Sequence, residues 1–479
     1  MPGLQAQSGA AHSVCRRPIV NFTDPTFLAL LPGFILLLCA VRWLQLWRME
    51  KLILIVAGCL LLFTYGSIDV VVFVSVGAAN YVLASTLTRL TGKSRRVLLF
   101  LILALDLSCL AYFKYLSFLL GTLPGFFKGP TADAGVVIPL GISFYTFHVI
   151  SYQIDLHERR IEHASPIDFA LYLSLFPHLI AGPIVRGAQL IPQIARTNER
   201  RVLFSKGVLY FIIGMFLKRF CADHIGTAID PFWREGTANT LSTPADWTVL
   251  FLYYCQIYSD FAGYSSMAIG MAHFLGYAFP ENFLGPMTAC SLREFWRRWH
   301  VTLSSWLRDY VYIPLGGNRR GLARIASSLL ITMVLGGLWH GAGWTFVAWG
   351  AIHGACLCVE RLAWSPDDRR PRWSLALGLI LTQVCVVATW VFFRAPGFEV
   401  ADSFLRGIAG LTNHSGNFPR ELSTALPLSL PVVAHNMLGR IGQHRLLEVP
   451  VLAGVICGVL LVLIIAYPSS SVLFIYYRF

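Results

Sequence analysis

Two histidine-bearing segments are the parts of this 479-residue chain best suited to chemistry. The segment 293–318 reads REFWRRWHVTLSSWLRDYVYIPLGGN and places His300 among tryptophans and arginines. The segment 335–354 reads LGGLWHGAGWTFVAWGAIHG and places His340 in an almost uncharged stretch. A neutral imidazole in apolar surroundings can take a proton from a hydroxyl group. We therefore predict that His340 and His300 are catalytic, with His340 as the general base.

The residues around His340 suit a bend that lines a pocket. Gly341 and Gly343 follow it and permit unusual backbone torsions and close approach of other groups. Trp339 and Trp344 are expected to form the wall of the pocket rather than to act chemically. The alternative is that His340 is a polar core residue, hydrogen-bonded between helices as is common in membrane bundles.

The segment around His300 has the pattern of one amphipathic helix over residues 292–310. At 3.6 residues per turn, one face would carry Trp296, Trp299, Leu303, Trp306 and Leu307. Arg293, Arg297 and His300 would share another face, as expected for a helix that lies in the membrane interface. In one interpretation His300 lines a pocket at the cytosolic entrance. In the other it only caps or pairs within a cationic surface helix.

Arginines close to this helix could bind the phosphates of a carrier such as coenzyme A, because a guanidinium group binds phosphate through two hydrogen bonds. They are Arg297, Arg298, Arg308, Arg319 and Arg320. Trp299 and Asn318 are predicted to lie with them in the donor site or its tunnel. The alternative is that these arginines only mark a cytosolic loop.

Three further polar residues lie in apolar stretches. Of the three, Asp260 has the highest free-energy cost of burial, since a carboxylate inside a membrane needs a partner. We predict that it pairs with an arginine of the 293–308 segment, or serves the donor site. His148 and His178 are expected to be core histidines with satisfied hydrogen bonds, and tunnel lining is the alternative for both.

The composition indicates an all-α polytopic membrane protein. Hydrophobic residues make up 56% of the chain and charged residues 13%, about half the roughly 25% that soluble domains carry. Apolar stretches that we interpret as membrane spans, each of which needs about 20 residues when complete, occur at 27–46, 52–65, 70–87, 97–120, 207–221, 247–275, 373–393 and 451–467. The net charge of +13 lies in short basic connections, which is typical of cytosolic loops and not of nucleic-acid binding. This pattern predicts an outside N-terminus, an inside C-terminus and about eleven crossings.

Three other apolar stretches are interrupted by Gly, Pro or His, at 136–152, 168–185 and 325–359. Interrupted segments are tolerated at membrane depth where they are buried in protein or line a cavity, so these favour a functional interior. The second is predicted to enter the membrane and return. The third is predicted to form a hairpin with His340 near its bend. The scattered cysteines indicate neither a disulfide framework nor a metal site.

The two histidine-bearing segments resemble the membrane-bound O-acyltransferase (MBOAT) family, and in particular its bacterial branch that serves alginate O-acetylation. Further matches are PLGISFYTFHVISYQID at 139–155, FPHLIAGPIVR at 176–186 and YCQIYSDFAGYSSMAIG at 254–270. By this resemblance His340 matches the catalytic histidine of the family, and His300 its second recurrent histidine. The resemblance implies a ring of about eleven transmembrane helices, with re-entrant and interfacial helices, around a central tunnel. Residues 1–20 are an expected disordered extension, and 21–479 an expected single transmembrane domain.

The function implied by the resemblance is O-acetyl transfer at a bacterial inner membrane. Acetyl-CoA or another acyl thioester would be the donor substrate, with no bound cofactor. Periplasmic esterase-like acetyltransferase proteins would be partners, and an exopolysaccharide such as alginate or cellulose the final acceptor. The residues alone leave open a transporter or channel with histidine proton relays, and a scaffold for a polysaccharide secretion complex.

Overall fold

The computed structural model describes residues 22–122, 137–234, 241–319, 321–363, 372–411, 418–441 and 450–469. Within these ranges every regular element is a helix, which confirms the predicted all-α class. The expected N-terminal extension, 1–20, lies outside the described residues.

The helices are numbered here in chain order. They are α1 (Pro25–Trp43), α2 (Trp47–Phe63), α3 (Ser67–Arg89), α4 (Gly92–Thr122), α5 (Ile142–His157), α6 (Pro166–Ser174), α7 (Phe176–Leu179), α8 (Gly187–Ala195), α9 (Phe204–Met215), α10 (Asp223–Ile229), α11 (Thr243–Phe274), α12 (Leu292–Arg298), α13 (Val301–Leu307), α14 (Gly321–His340), α15 (Trp344–Ala363), α16 (Arg372–Arg394), α17 (Phe398–Ile408), α18 (Arg420–Ala425), α19 (Ser429–Ile441) and α20 (Pro450–Ala466). Three π-helical turns matter for the site: Ala111–Tyr115 within α4, Phe216–Ala222 between α9 and α10, and Arg308–Tyr312 after α13.

Six of these helices are long and apolar enough to cross a bilayer, namely α1, α3, α4, α14, α15 and α16. Each lies on or within a stretch that the sequence marked as apolar. The chain is therefore a multi-pass membrane protein, as predicted. The expected total of about eleven crossings and the orientation of the termini stay predictions.

Helix α11 is the central element of the core. Its 32 residues are buried along almost the whole length, including Tyr253, Tyr254 and Tyr258. Glycines bring it into backbone contact with α9: a Cβ on Gly214 would lie only 2.5 Å from the carbonyl oxygen of Gly263. Small residues at a helix interface permit this close approach, which is the usual way to pack helices inside a membrane.

The interrupted stretches 136–152 and 168–185 form short, buried helices. The first contains most of α5, which is 16 residues long, and the second contains α6 and α7, of nine and four residues. Helices of nine and four residues cannot cross the hydrocarbon core, since a crossing needs about 20 residues. The predicted interruption of the backbone is confirmed in both places.

The stretch 325–359 is a helical hairpin with His340 at its bend, as predicted. Helix α14 ends at His340 and α15 begins at Trp344. The two helices pack tightly because glycines lie at their interface. A Cβ on Gly337 would meet the carbonyl oxygen of Phe346 at 2.2 Å, and one on Gly350 would meet that of Met333 at 2.3 Å.

The prediction of one continuous amphipathic helix over 292–310 is wrong. The segment breaks between α12 and α13 because Trp299 is extended and His300 adopts a left-handed conformation, with φ 43°. Backbone hydrogen bonds to residues 282–284 replace the helical ones: Val301 N donates to Asn282 O and Leu284 N donates to Arg298 O. Trp299 and His300 are 1% and 0% exposed, so this part of the segment lies in the protein core and not on a membrane surface.

Candidate active site

A cavity of about 440 Å³ lies between α14 and the broken α12–α13 segment. Its α14 wall consists of residues three or four positions apart, which share one helix face: Ile325, Leu329, Thr332, Met333, Gly336 and His340. From Ile325 to His340 the helix rises by about 22 Å. This is most of the roughly 30 Å thickness of a hydrocarbon core. The cavity therefore joins the basic start of the hairpin to the imidazole at its bend.

His340 lies at the inner end of this cavity and is 3% exposed. Aromatic rings surround the imidazole, with centroid distances of 5.0 Å to Trp339, 5.4 Å to Trp349 and 5.1 Å to Phe393. An imidazole with access to one cavity and otherwise enclosed by rings is suited to act as a base away from bulk water.

His300 lies behind His340, with 6.5 Å between the ring centroids. Its Nδ1 is 3.2 Å from the side-chain oxygen of Asn282, whose amide nitrogen donates to Ser265 Oγ over 3.1 Å. Because this oxygen can only accept, the Nδ1 nitrogen carries the hydrogen and Nε2 is the basic nitrogen. Burial lowers the pKa of His300 to about 3, so the ring is neutral at pH 7. His300 supports the wall beside His340 and does not itself line the cavity.

Arginines surround the other end of the cavity, at Arg293, Arg297, Arg308 and Arg361. Other half-buried arginines bond carboxylates. They are Arg42, Arg186, Arg200, Arg219, Arg298 and Arg394. Arg293 and Arg361 are also half-buried, yet within the described ranges neither guanidinium group has a carboxylate or other acceptor. A partly desolvated guanidinium group without a partner favours a bound anion.

Two further groups at this end are held in a defined charge state. Burial raises the pKa of Asp309, but hydrogen bonds from Arg308 and Arg186 outweigh it and leave that pKa below its ordinary value. Burial also raises the pKa of Tyr312, so its hydroxyl stays protonated and donates to Asn318 Oδ1 over 2.8 Å. At neutral pH Asp309 is therefore ionised and offsets the charge of Arg308, while Tyr312 is uncharged. The positive charge of the entrance comes from Arg293, Arg297 and Arg361.

The predicted donor-site residues divide into two groups. Arg297 and Asn318 line the cavity, as does Arg308. Arg298 does not, because it bonds Glu294 and Thr288 Oγ1 instead. Arg319 is exposed beside the entrance, and Arg320 lies outside the described residues.

None of the predicted tryptophans lines the cavity, and Trp299 and Trp339 are packing residues. Trp299 is buried against Phe295 and Trp390, with centroids 5.6 Å and 5.1 Å away. Trp339 lies over the ring of Phe147 at 5.3 Å. Trp344 is 55% exposed and does not line the cavity. Of these, Trp339 touches the site directly, through the ring of His340.

The predicted pairing of Asp260 with an arginine of the 293–308 segment is wrong. Its carboxylate lies 2.7 Å from Lys218 Nζ, which also bonds Asp223 at 2.7 Å. The glycine contact between α9 and α11 brings the π-helical turn that carries Lys218 against this face of α11. Asp260 therefore belongs to a buried ion cluster and not to the donor site.

His148 and His178 are core residues, as expected. Both are 0% exposed, and their rings are 4.5 Å apart. The expected hydrogen bonds are present only in part: His178 Nε2 lies 2.9 Å from the carbonyl oxygen of Tyr172, but neither ring nitrogen of His148 has a hydrogen-bond partner among the described residues. Neither lines the cavity.

Sequence reasoning missed Arg293 and Arg361 as entrance residues and Lys114 as a neighbour of the site. Arg293 was assigned only to a helix face, and no sequence signal set Arg361 apart from the other basic residues. A lysine within the apolar stretch 97–120 was the available signal for Lys114, since an intramembrane charge marks function or pairing.

Comparisons with known proteins show which family this chain belongs to. A model of the MBOAT, membrane-bound O-acyltransferase family, matches residues 52–365. A Pseudomonas aeruginosa protein named "Probable alginate O-acetylase AlgI" is 35% identical over 440 residues, which cover 90% of this chain and 82% of that protein. An Azotobacter vinelandii protein of the same name is 41% identical over 305 residues, covering 62% of this chain and 59% of the relative. A Helicobacter pylori peptidoglycan O-acetyltransferase is 36% identical over 351 residues, covering 67% and 66%.

Proposed function

The chain belongs to the membrane-bound O-acyltransferase family and is an acyltransferase, and we propose that it carries an acetyl group from cytosolic acetyl-CoA across a bacterial inner membrane. The acetyl group would then be used for O-acetylation of an exopolysaccharide. One observation carries the proposal: His340 lies at one end of the cavity, and at the other end lie Arg293 and Arg361, whose guanidinium groups have no acceptor among the described residues.

The entrance suits the donor because coenzyme A is a polyanion. Arg293 and Arg361 can each bind a phosphate with two parallel hydrogen bonds, and Arg297 adds charge to the same rim. The α14 face beyond them is largely apolar and would accommodate the pantetheine arm. Basic loops mark the cytosolic side, so the donor would enter from the cytosol.

The reaction would use His340 as base and then as acid. Its imidazole takes the proton from the acceptor hydroxyl, whose oxygen forms a bond to the thioester carbonyl carbon. The C–S bond then breaks, and the imidazolium returns the proton to the departing sulfur. A thiolate leaves readily because free thiols have a pKa of about 8.5, so a second acid is not needed.

The tetrahedral intermediate also needs hydrogen-bond donors for its oxyanion. His300 is a poor choice, since its single N–H faces Asn282. Trp349 lines the cavity next to His340, and its indole N–H has no acceptor among the described residues. We assign the oxyanion to Trp349 and to backbone N–H groups near Gly341.

The proposal for the acceptor rests on the names of the relatives. Two are named for alginate and one for peptidoglycan, which supports a bacterial cell-surface glycan as the final acceptor. We propose that acetyl passes first to a periplasmic esterase-like partner, and then to alginate, cellulose or a similar exopolysaccharide.

The test is acetyl transfer in proteoliposomes that contain the purified protein. Acetyl-labelled coenzyme A is supplied outside. Transfer is measured as label on a lumenal acceptor and, separately, as free coenzyme A thiol released. We expect donor-dependent thiol release and acetylated acceptor. A transporter would move solute without either, and a scaffold would do nothing, so both outcomes would refute the proposal.

The entrance is tested by Arg293→Ala and Arg361→Ala. Each removes a charge-assisted contact worth about 1.5–3 kcal/mol, so KM for acetyl-CoA should rise about tenfold or more with kcat little changed. The matched control is Arg89→Ala, an exposed arginine outside the cavity. An unchanged KM in both entrance variants would show that the phosphates bind elsewhere.

A further inference from the structure

Lys114 is a buried lysine inside a membrane-spanning helix. It lies in α4 within the π-helical turn Ala111–Tyr115 and is 8% exposed. A charged group at this depth is costly, and such residues are retained where they serve a function or a specific pairing. Single π-helical turns inside α-helices also occur frequently at functional sites.

The contacts of this turn converge on the end of the helix that carries His340. Lys114 Nζ donates to the backbone oxygen of Trp339, the residue before His340, and approaches Ser143 Oγ at 3.3 Å. The hydroxyl of Tyr115 donates to the backbone oxygen of Leu338 over 2.6 Å. Because α14 ends at His340, these carbonyls have no helical partner of their own. Two consecutive residues of α4 thus cap the last turn of α14.

The charge of Lys114 is balanced in an unusual way. Within the described part of the chain, no carboxylate lies within ion-pairing distance of its ammonium group. The other buried lysine in a π-helical turn, Lys218, bonds both Asp223 and Asp260. Lys114 instead faces the negative end of the α14 dipole and lies 5.8 Å from the centre of the Trp339 ring. Its position is explained by the helix end and not by an ion pair.

We propose that Lys114 and Tyr115 are positioning residues that fix the last turn of α14 and hold the His340 imidazole in line with the cavity. The inference rests on the proposed function, because it assigns these two residues a role in the same transfer. Neither residue lines the cavity or touches the substrate path. Their effect would therefore reach the reaction through His340 and not through contact with the substrate.

The kinetic test uses Lys114→Met, which keeps the length of the side chain and removes the charge, together with Lys114→Arg and Tyr115→Phe. A misplacement of about 1 Å at a reacting group can cost about a hundredfold in rate. We expect kcat per folded enzyme to fall about a hundredfold in Lys114→Met, with KM for acetyl-CoA unchanged. Lys114→Arg should recover much of the loss, and Tyr115→Phe should lose severalfold. The matched control is Tyr112→Phe, an exposed tyrosine of the same turn.

A second measurement reports the position of His340 without relying on acyl transfer. Diethylpyrocarbonate modifies imidazole, and mass spectrometry gives its rate of reaction at His340 in each variant. We expect the rate to change at least threefold in Lys114→Met and to stay at the wild-type value in Tyr112→Phe. If the wild-type protein transfers no acetyl group, the proposed function fails while this comparison still decides the positioning role. Unchanged modification and unchanged kcat in folded Lys114→Met would overturn the inference, as would a loss confined to the amount of folded protein.

Discussion

Two pairs of buried histidines lie in this molecule, and they have different surroundings. His148 and His178 come from α5 and α7, and their rings are 4.5 Å apart. His300 and His340 come from the α12–α13 break and the end of α14, and their rings are 6.5 Å apart. All four residues are at most 3% exposed. Burial and mutual proximity therefore do not separate a reactive histidine from a structural one.

Access to the cavity distinguishes His340 from the other three. His340 lines the space that leads to the entrance arginines, and His300 is held behind it by Asn282. The first pair is enclosed by Tyr172 and its neighbours and does not line this cavity. A histidine at membrane depth is a candidate base only where a substrate can reach it.

The largest effect is expected from His340→Ala. Loss of a general base reduces the rate by roughly 10²–10⁴-fold, and KM for acetyl-CoA should stay near the wild-type value because the entrance is intact. Thiol release in proteoliposomes measures both. If folded His340→Ala keeps wild-type kcat, the difference between the two pairs has no catalytic meaning.

A smaller effect is expected from His300→Ala. The residue does not line the cavity, so its loss should act through the packing and hydrogen bonding behind His340, worth about one hydrogen bond of 0.5–1.5 kcal/mol. We expect kcat to fall about tenfold. A loss as large as that of His340→Ala would indicate that His300 takes part in the chemistry directly.

The smallest effect on activity is expected from His178→Leu. This change leaves the Tyr172 carbonyl oxygen without its ring partner, and an unsatisfied buried group costs about 1–3 kcal/mol of stability. The midpoint of thermal unfolding in detergent should fall, while kcat per folded molecule stays within about twofold of wild type. A kcat loss comparable with that of His300→Ala, in protein of normal stability, would place the first pair in the mechanism as well.

The sequence was sufficient to predict the helical hairpin and the position of His340 at its bend. Both depend on local signals: an apolar stretch of spanning length, glycines that allow a bend, and the family motif around the histidine. It was insufficient to predict the helix break at His300, because the apolar periodicity of 292–310 favoured one continuous helix. Backbone hydrogen bonds to Asn282 and Leu284 outweighed that local preference.

The partners of the buried charged residues could not be predicted from the sequence either. Asp260 was expected to bond an arginine and instead bonds Lys218. Lys114 reaches the end of a helix 225 residues later in the chain. The choice of partner follows from which helices pack together, and for Asp260 the glycine contact between α9 and α11 decided that.

The amino-acid sequence by itself determined the membrane class, the family and the histidine to examine first, since apolar length, charge distribution and short motifs are properties of neighbouring residues. The tertiary structure alone decided which histidine borders open space, which arginines are left for an anion and what caps the end of α14. Those features depend on residues far apart in the chain, which come together only when the helices pack.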